Sequence, residues 1–106
     1  MDEKLAGFQP ELIILSSGFD AHKDDPSRGA ALQTDDFYEL TQLLLALAWR
    51  IESCHGRLLS VLEGGYNVTV THGALQRSVE AHLRALARAP KAPGPKAPGP
   101  KKRARS

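Results

Sequence analysis

The chain has 106 residues and a mass of 11.5 kDa, room for one small domain at most. Its hydrophobic fraction of 42% and charged fraction of 25% are ordinary for a globular protein. The net charge of +2 averages two unlike parts: residues 1–89 carry all 12 acidic groups against 8 Lys and Arg, and residues 90–106 carry 6 Lys and Arg with no acid. The longest apolar run, Leu43 to Trp49, is far short of the roughly 18–20 residues of a membrane span, so no membrane segment is expected. Asp2 and Glu3 do not suit a secretory leader. Cys54 is the single cysteine, which excludes an internal disulfide, fits a reducing compartment and reads as a plain buried thiol.

In chain order, Glu11 to Ser17 is a short apolar run between Pro10 and Gly18 that reads as a strand buried on both faces, as in a parallel sheet. Thr34 then stands as a helix N-cap before Asp35 and Asp36, whose charges suit the positive end of the helix dipole. Phe37, Leu40, Leu44, Leu47 and Ile51 recur at spacings of three and four and mark one helical face, with Leu43, Ala46 and Ala48 widening it. Gly56 is the expected stop. A second buried-type run, Arg57 to Leu62, ends at Gly64 and Gly65, and Ala74, Leu75, Val79, Leu83 and Leu86 mark a second helix. The order strand, helix, strand, helix predicts an α/β fold with parallel strands and crossover helices.

Residues 90–106 differ in kind. Lys91-Ala-Pro-Gly-Pro95 repeats as Lys96-Ala-Pro-Gly-Pro100, five of the seven prolines fall here, and Lys101-Lys-Arg-Ala-Arg105 closes the chain. This composition predicts a disordered, partly extended basic tail. Three uses remain open for it: an import-receptor ligand, a nonspecific nucleic-acid contact, or a solubilising extension.

Two parallel strands with two helices leave both sheet edges open and apolar faces uncovered, an arrangement rarely stable alone. The strands are too apolar for a half-solvated sheet. The chain therefore reads as a piece of a larger α/β domain, with a missing domain half or a partner chain needed.

Loops after the carboxyl ends of parallel strands share one rim, where ligands bind. The first strand ends in Gly18-Phe19-Asp20-Ala21-His22 and the second in Glu63-Gly64-Gly65-Tyr66-Asn67. A carboxylate can hold a cation, and a phenol can donate to a developing oxyanion. By spacing alone the clusters also suit plain turns, and Asp20 with His22 makes a poor zinc site, which wants three or four ligands.

The segment Leu12-Ile-Ile-Leu-Ser-Ser-Gly-Phe-Asp-Ala-His-Lys-Asp-Asp-Pro26 resembles the strand and loop of zinc-dependent histone deacetylases. It is closest to their class II branch and to the bacterial acetylpolyamine amidohydrolases. Thr34-Asp-Asp-Phe37 resembles the helix start that follows in that family, and Val61-Leu-Glu-Gly-Gly-Tyr-Asn67 resembles its catalytic tyrosine loop. The resemblance covers about residues 5–88, making residues 1–89 a partial deacetylase domain of arginase-like α/β fold and residues 90–106 a separate tail.

The resemblance implies a role for each matched residue. Asp20 matches a zinc ligand, Tyr66 matches the hydroxyl donor to the substrate carbonyl and its oxyanion, and Gly64 and Gly65 match glycines lining the acyl-lysine tunnel. His22 matches a position that does not bind metal and reads as a loop stabiliser. Asp24 and Asp25 read as hydrogen-bonding or solvated loop groups. The implied cofactor is Zn2+, and the implied substrate is acetyl-lysine, of a histone or other protein, or an acetylated polyamine.

The family's Asp-x-His zinc ligands and His-His pair have no counterpart in these residues, and His55, His72 and His82 match no ligand. Ser17 stands where alanine is most common, a small change. The expectation is a deacetylase fragment without turnover of its own, located in the nucleus or cytoplasm. A catalytically silent interaction module and a truncated, non-functional product are the alternatives.

Overall fold

The computed structural model of the chain describes residues 2–27, 29–69 and 72–88. Its elements are helix α1 (Asp2–Phe8), strand β1 (Ile13–Gly18), a 3-10 turn (Phe19–Ala21), helix α2 (Thr34–Arg50), strand β2 (Leu58–Glu63) and helix α3 (Ala74–Ala87). The tail expected over residues 90–106 lies outside the described residues. The α/β reading is correct, and β1 pairs with β2 in parallel, Ile13 opposite Leu58 and Gly18 opposite Glu63. The short helix α1 had no distinct sequence signal, since only Leu5 among its residues packs on the core.

Alternation along a strand sends successive side chains to opposite faces. Ile13 and Leu58 pack against Leu47, Ala48, Ile51 and Cys54, while Ile14, Leu59 and Val61 on the other face are exposed, Ile14 by 61%. The strands are thus not buried on both faces among the described residues. Their apolar composition fits both faces of a sheet, and α2 and α3 cover one of them.

Two expectations about α2 need correction. The N-cap is Gln33, whose N–H donates to the Asp36 carboxylate at 2.7 Å, and Thr34 is already inside the helix. Its hydroxyl is taken up instead by His22 and Arg77. The buried face runs through Phe37, Thr41, Leu45 and Ala48, with Leu47 beside it, whereas Leu40 is exposed and Leu43 is 65% exposed. The reason is Thr41: a polar residue at helical spacing takes the inner stripe because it has buried partners.

Those partners tie the layers together. The Thr41 hydroxyl donates to the Phe37 carbonyl at 2.6 Å, so it accepts from His82 Nδ1 at 2.7 Å. His82 Nε2 is then the acceptor for the Ser60 hydroxyl at 2.7 Å, and Ser17 lies 2.6 Å from Ser60. One imidazole on α3 therefore joins α2 to both strands, and Ser17 has a partner that alanine would lack. Buried polar groups are tolerated when they are satisfied in this way. Around His82, α3 presents Ala74, Ser78, Ala81 and Ala85, small residues that let it lie close to α2. Gln42 of α2 donates to the Ala85 and Arg88 carbonyls and caps the end of α3.

Helix α2 stops at Arg50, and the chain turns through Ile51 to Gly56, whose N–H donates to the Ala48 carbonyl at 3.0 Å. Gly56 has φ +75°, and a Cβ there would sit 2.3 Å from the Trp49 ring. Gly56→Ala is expected to cost at least about 2 kcal/mol, from overpacking and the left-handed backbone together. A urea midpoint unchanged from wild type would contradict this.

Burial holds the His82 imidazole below its ordinary value of 6.5. His22 is lowered as well, by burial, against a partial offset from Asp24. The unfolded chain takes up protons on these rings near pH 6.5, while the folded chain does so only at lower pH. Stability is therefore whole above that value and lost as pH falls through the lowered values. The thermal midpoint is expected to be level between pH 8 and 7 and to decline below about 6.5; a level midpoint down to pH 5 would contradict the assignment.

Candidate functional site

The parallel register brings both strands to their carboxyl ends side by side. Beyond Gly18 the chain enters the 3-10 turn carrying Asp20, and Phe19 N–H donates to the Gly64 carbonyl at 3.4 Å. The Asp20 carboxylate lies in the space between the two loops: a Cβ on Gly18 or on Gly64 would approach it to 3.1 Å. Gly64 has φ +69° and Gly65 has φ +122°, and a Cβ on Gly65 would meet Leu75 at 2.5 Å. Both glycines thus hold a backbone conformation that side chains rarely adopt, and a side chain at either would crowd its neighbours. Among the described residues no group donates a hydrogen bond to the Asp20 carboxylate, which leaves its oxygens free.

The rest of the first loop is braced from within. His22 is 1% exposed, stacked on Phe37 with centroids 6.2 Å apart. Its Nδ1 accepts from Asp24 N–H at 3.0 Å, so Nε2 carries the proton and donates to Thr34 Oγ1 at 3.0 Å. With both ring nitrogens engaged, His22 stabilises the loop and offers no lone pair to a metal. Asp24 faces outward and pairs with Arg77 at 3.2 Å.

Asp25 turns the other way and is 3% exposed. Its Oδ1 accepts from Ser27 N–H at 2.9 Å, and its Oδ2 accepts from Tyr66 N–H at 2.7 Å. Burial raises the Asp25 carboxyl, but these N–H donors outweigh it and hold the group below its ordinary 3.8. Beside this contact, Asn67 Nδ2 donates to the Asp24 carbonyl at 2.8 Å. The two loops are therefore crossed by adjacent bonds, Asp25 to Tyr66 and Asp24 to Asn67.

Tyr66 itself is 59% exposed and lines an open groove of about 570 Å³ with Asp24, Pro26, Asn67, Val68 and Thr69. Two peptide steps keep its Cα within roughly 7.6 Å of the Gly64 Cα, and Gly64 abuts Asp20. Asp20, Gly64, Gly65 and Tyr66 accordingly belong to one rim. His55 is exposed at the opposite end of the sheet, before β2, and His72 is exposed before α3. His82 serves the core. The cross-bracing by Asp25 and Asn67 has no sequence signal: Asp24-Asp25-Pro26 marks a loop, but nothing in the letters tells which aspartate turns inward.

Among the described residues no three His, Cys, Asp or Glu side chains gather as a metal-binding group. Zinc takes three or four protein donors, so the donors on this rim do not by themselves fit a zinc centre. Asp20 is a single free carboxylate.

A family model for the histone deacetylase domain matches residues 1–86. "Type-2 histone deacetylase 2" of Dictyostelium discoideum is 46% identical over 83 residues, 78% of this chain and 5% of that protein. Among solved structures, the histone deacetylase Clr3 superposes with a TM-score of 0.66 at 29% identity, covering 84% of this chain and 13% of the other. The acetylpolyamine aminohydrolase of Burkholderia pseudomallei gives 0.63 at 29% identity, covering 82% and 22%. The chain thus spans a small part of the length of the relatives it matches. With that match over most of its length, the chain belongs to the histone deacetylase family.

Proposed function

We propose that residues 5–88 contribute one rim of a zinc-dependent amidohydrolase site that removes the acetyl group from acetyl-lysine or from an acetylated polyamine. The observation that carries this reading is the approach of the two loops: the free Asp20 carboxylate stands 3.1 Å from where a Gly64 Cβ would be, two residues before Tyr66. Asp20 would be one carboxylate donor to a zinc ion. The remaining donors and the general base come from outside these 106 residues, supplied by more of the same domain or by a partner chain.

Within such a site the Tyr66 hydroxyl donates a hydrogen bond to the acetamide oxygen and holds it as charge develops there. Gly64 and Gly65 keep the wall beside Asp20 free of side chains, so an acyl chain can pass close to backbone. The same incompleteness makes the isolated chain inactive in this reading. The exposed Ile14, Leu59 and Val61 support it, because the uncovered sheet face is where the missing part of the domain would lie. No described helix is long and apolar enough to cross a membrane. A nuclear or cytoplasmic setting, with Lys101 to Arg105 meeting an import receptor or nucleic acid, is part of the same proposal.

Two measurements test it. The 106-residue chain incubated with zinc and an acetyl-lysine peptide or acetylated polyamine is expected to show no turnover, and chelator-sensitive turnover would overturn the incompleteness. In a longer polypeptide that carries the remaining donors, Tyr66→Phe is expected to lower kcat by about 10²–10³ with zinc content unchanged. A near-normal rate would remove Tyr66 from the chemistry.

A further inference from the structure

The geometry points to Asp25 as a positioning residue for Tyr66: its buried carboxylate clamps the tyrosine loop onto the aspartate loop through the Tyr66 backbone N–H. Four observations converge on this. The bond is short, 2.7 Å from Tyr66 N to Oδ2, and joins residues 41 apart in sequence. The carboxylate is itself fixed, since Oδ1 is engaged by Ser27 N–H at 2.9 Å and the side chain is 3% exposed. Asn67 repeats the tie one residue on, at the Asp24 carbonyl. Finally, the loop it holds leaves β2 through Gly64 and Gly65, both at positive φ, a backbone path that constrains neighbouring residues little by itself.

Hydrogen bonds to a charged acceptor are stronger than neutral ones, so a buried carboxylate suits this task better than an amide or hydroxyl. Asparagine at the position presents one oxygen and one NH₂ to two N–H donors. It can satisfy Ser27 or Tyr66, not both. The loop holding the phenol would then be released while the strands stay paired. The inference rests on the proposed function only in giving the Tyr66 hydroxyl a task; the clamp can be read without any activity.

Amide hydrogen exchange on the 106-residue chain tests it. In the wild type the Tyr66 amide is expected to exchange at least about tenfold slower than in an unstructured peptide. In Asp25→Asn it is expected to accelerate by about tenfold or more, with the amides of β1 and β2 unchanged. Tyr66→Phe, which keeps the N–H, should leave exchange at position 66 as in wild type. An unprotected Tyr66 amide in the wild type overturns the clamp, as does no change at Tyr66 in Asp25→Asn, or an equal acceleration at every amide. Should Asp25→Asn not fold, the wild-type rate decides alone. Failure of the deacetylase reading would show instead as normal turnover of Tyr66→Phe in the longer polypeptide, with the exchange pattern intact.

Discussion

The parallel register that sets Gly18 opposite Glu63 is the constraint on which the rest depends. It ends both strands at the same level, so that loops 45 residues apart in the chain leave the sheet side by side. Slipping either strand by one residue would turn its serine, Ser17 or Ser60, away from His82 and move the Asp20 turn off Gly64. The buried chain of bonds from Ser17 through Ser60 and His82 to Thr41 therefore protects the geometry of the rim from below. The core contacts are satisfied between the helices and the sheet, and the loops of the rim have bonds of their own.

Above that level the site is built from contrasts between rigid and permissive residues. Gly64 and Gly65 give the second loop its path, and the carboxylate of Asp20 occupies the space they leave. What permissive backbone loses in definition, the crossed bonds from Asp25 and Asn67 restore. His22, locked between Thr34, the Asp24 N–H and the Phe37 ring, fixes the first loop. The Asp20 carboxylate, beside Gly64, has no donor among the described residues, in keeping with the ligand role proposed for it.

Much of this was legible in the amino-acid order, for identifiable reasons. Apolar runs bounded by Pro10, Gly18 and the Gly64-Gly65 pair announce strands, and the spacing from Phe37 to Ile51 announces a helix. The two motifs around Asp20 and Tyr66 place the rim. Three features escaped. Thr41 breaks the apolar pattern of α2, so apolar spacing alone draws the stripe through Leu40 and Leu44. Ser17 reads as a minor exchange because its partner, Ser60, is 43 residues distant. Asp24 and Asp25 are chemically identical neighbours, and only the fold assigns one to solvent and Arg77 and the other to the Tyr66 N–H. Periodicity reports what is apolar; it does not report which polar side chains find each other across the chain.

The sheet face left open among the described residues and the Asp20 carboxylate support the proposed incompleteness from independent physics. One is apolar area without a cover, the other a donor without companions. The nuclear Overhauser spectrum of the chain in solution reads the shared premise directly. Contacts shorter than about 5 Å between the Gly64 Hα protons and the Asp20 side chain are what the loop packing requires, since backbone and carboxylate are in van der Waals reach. A well-dispersed spectrum in which Gly64 shows no contact with Asp20 would mean that the two loops move apart, and the amidohydrolase rim proposed above would not exist.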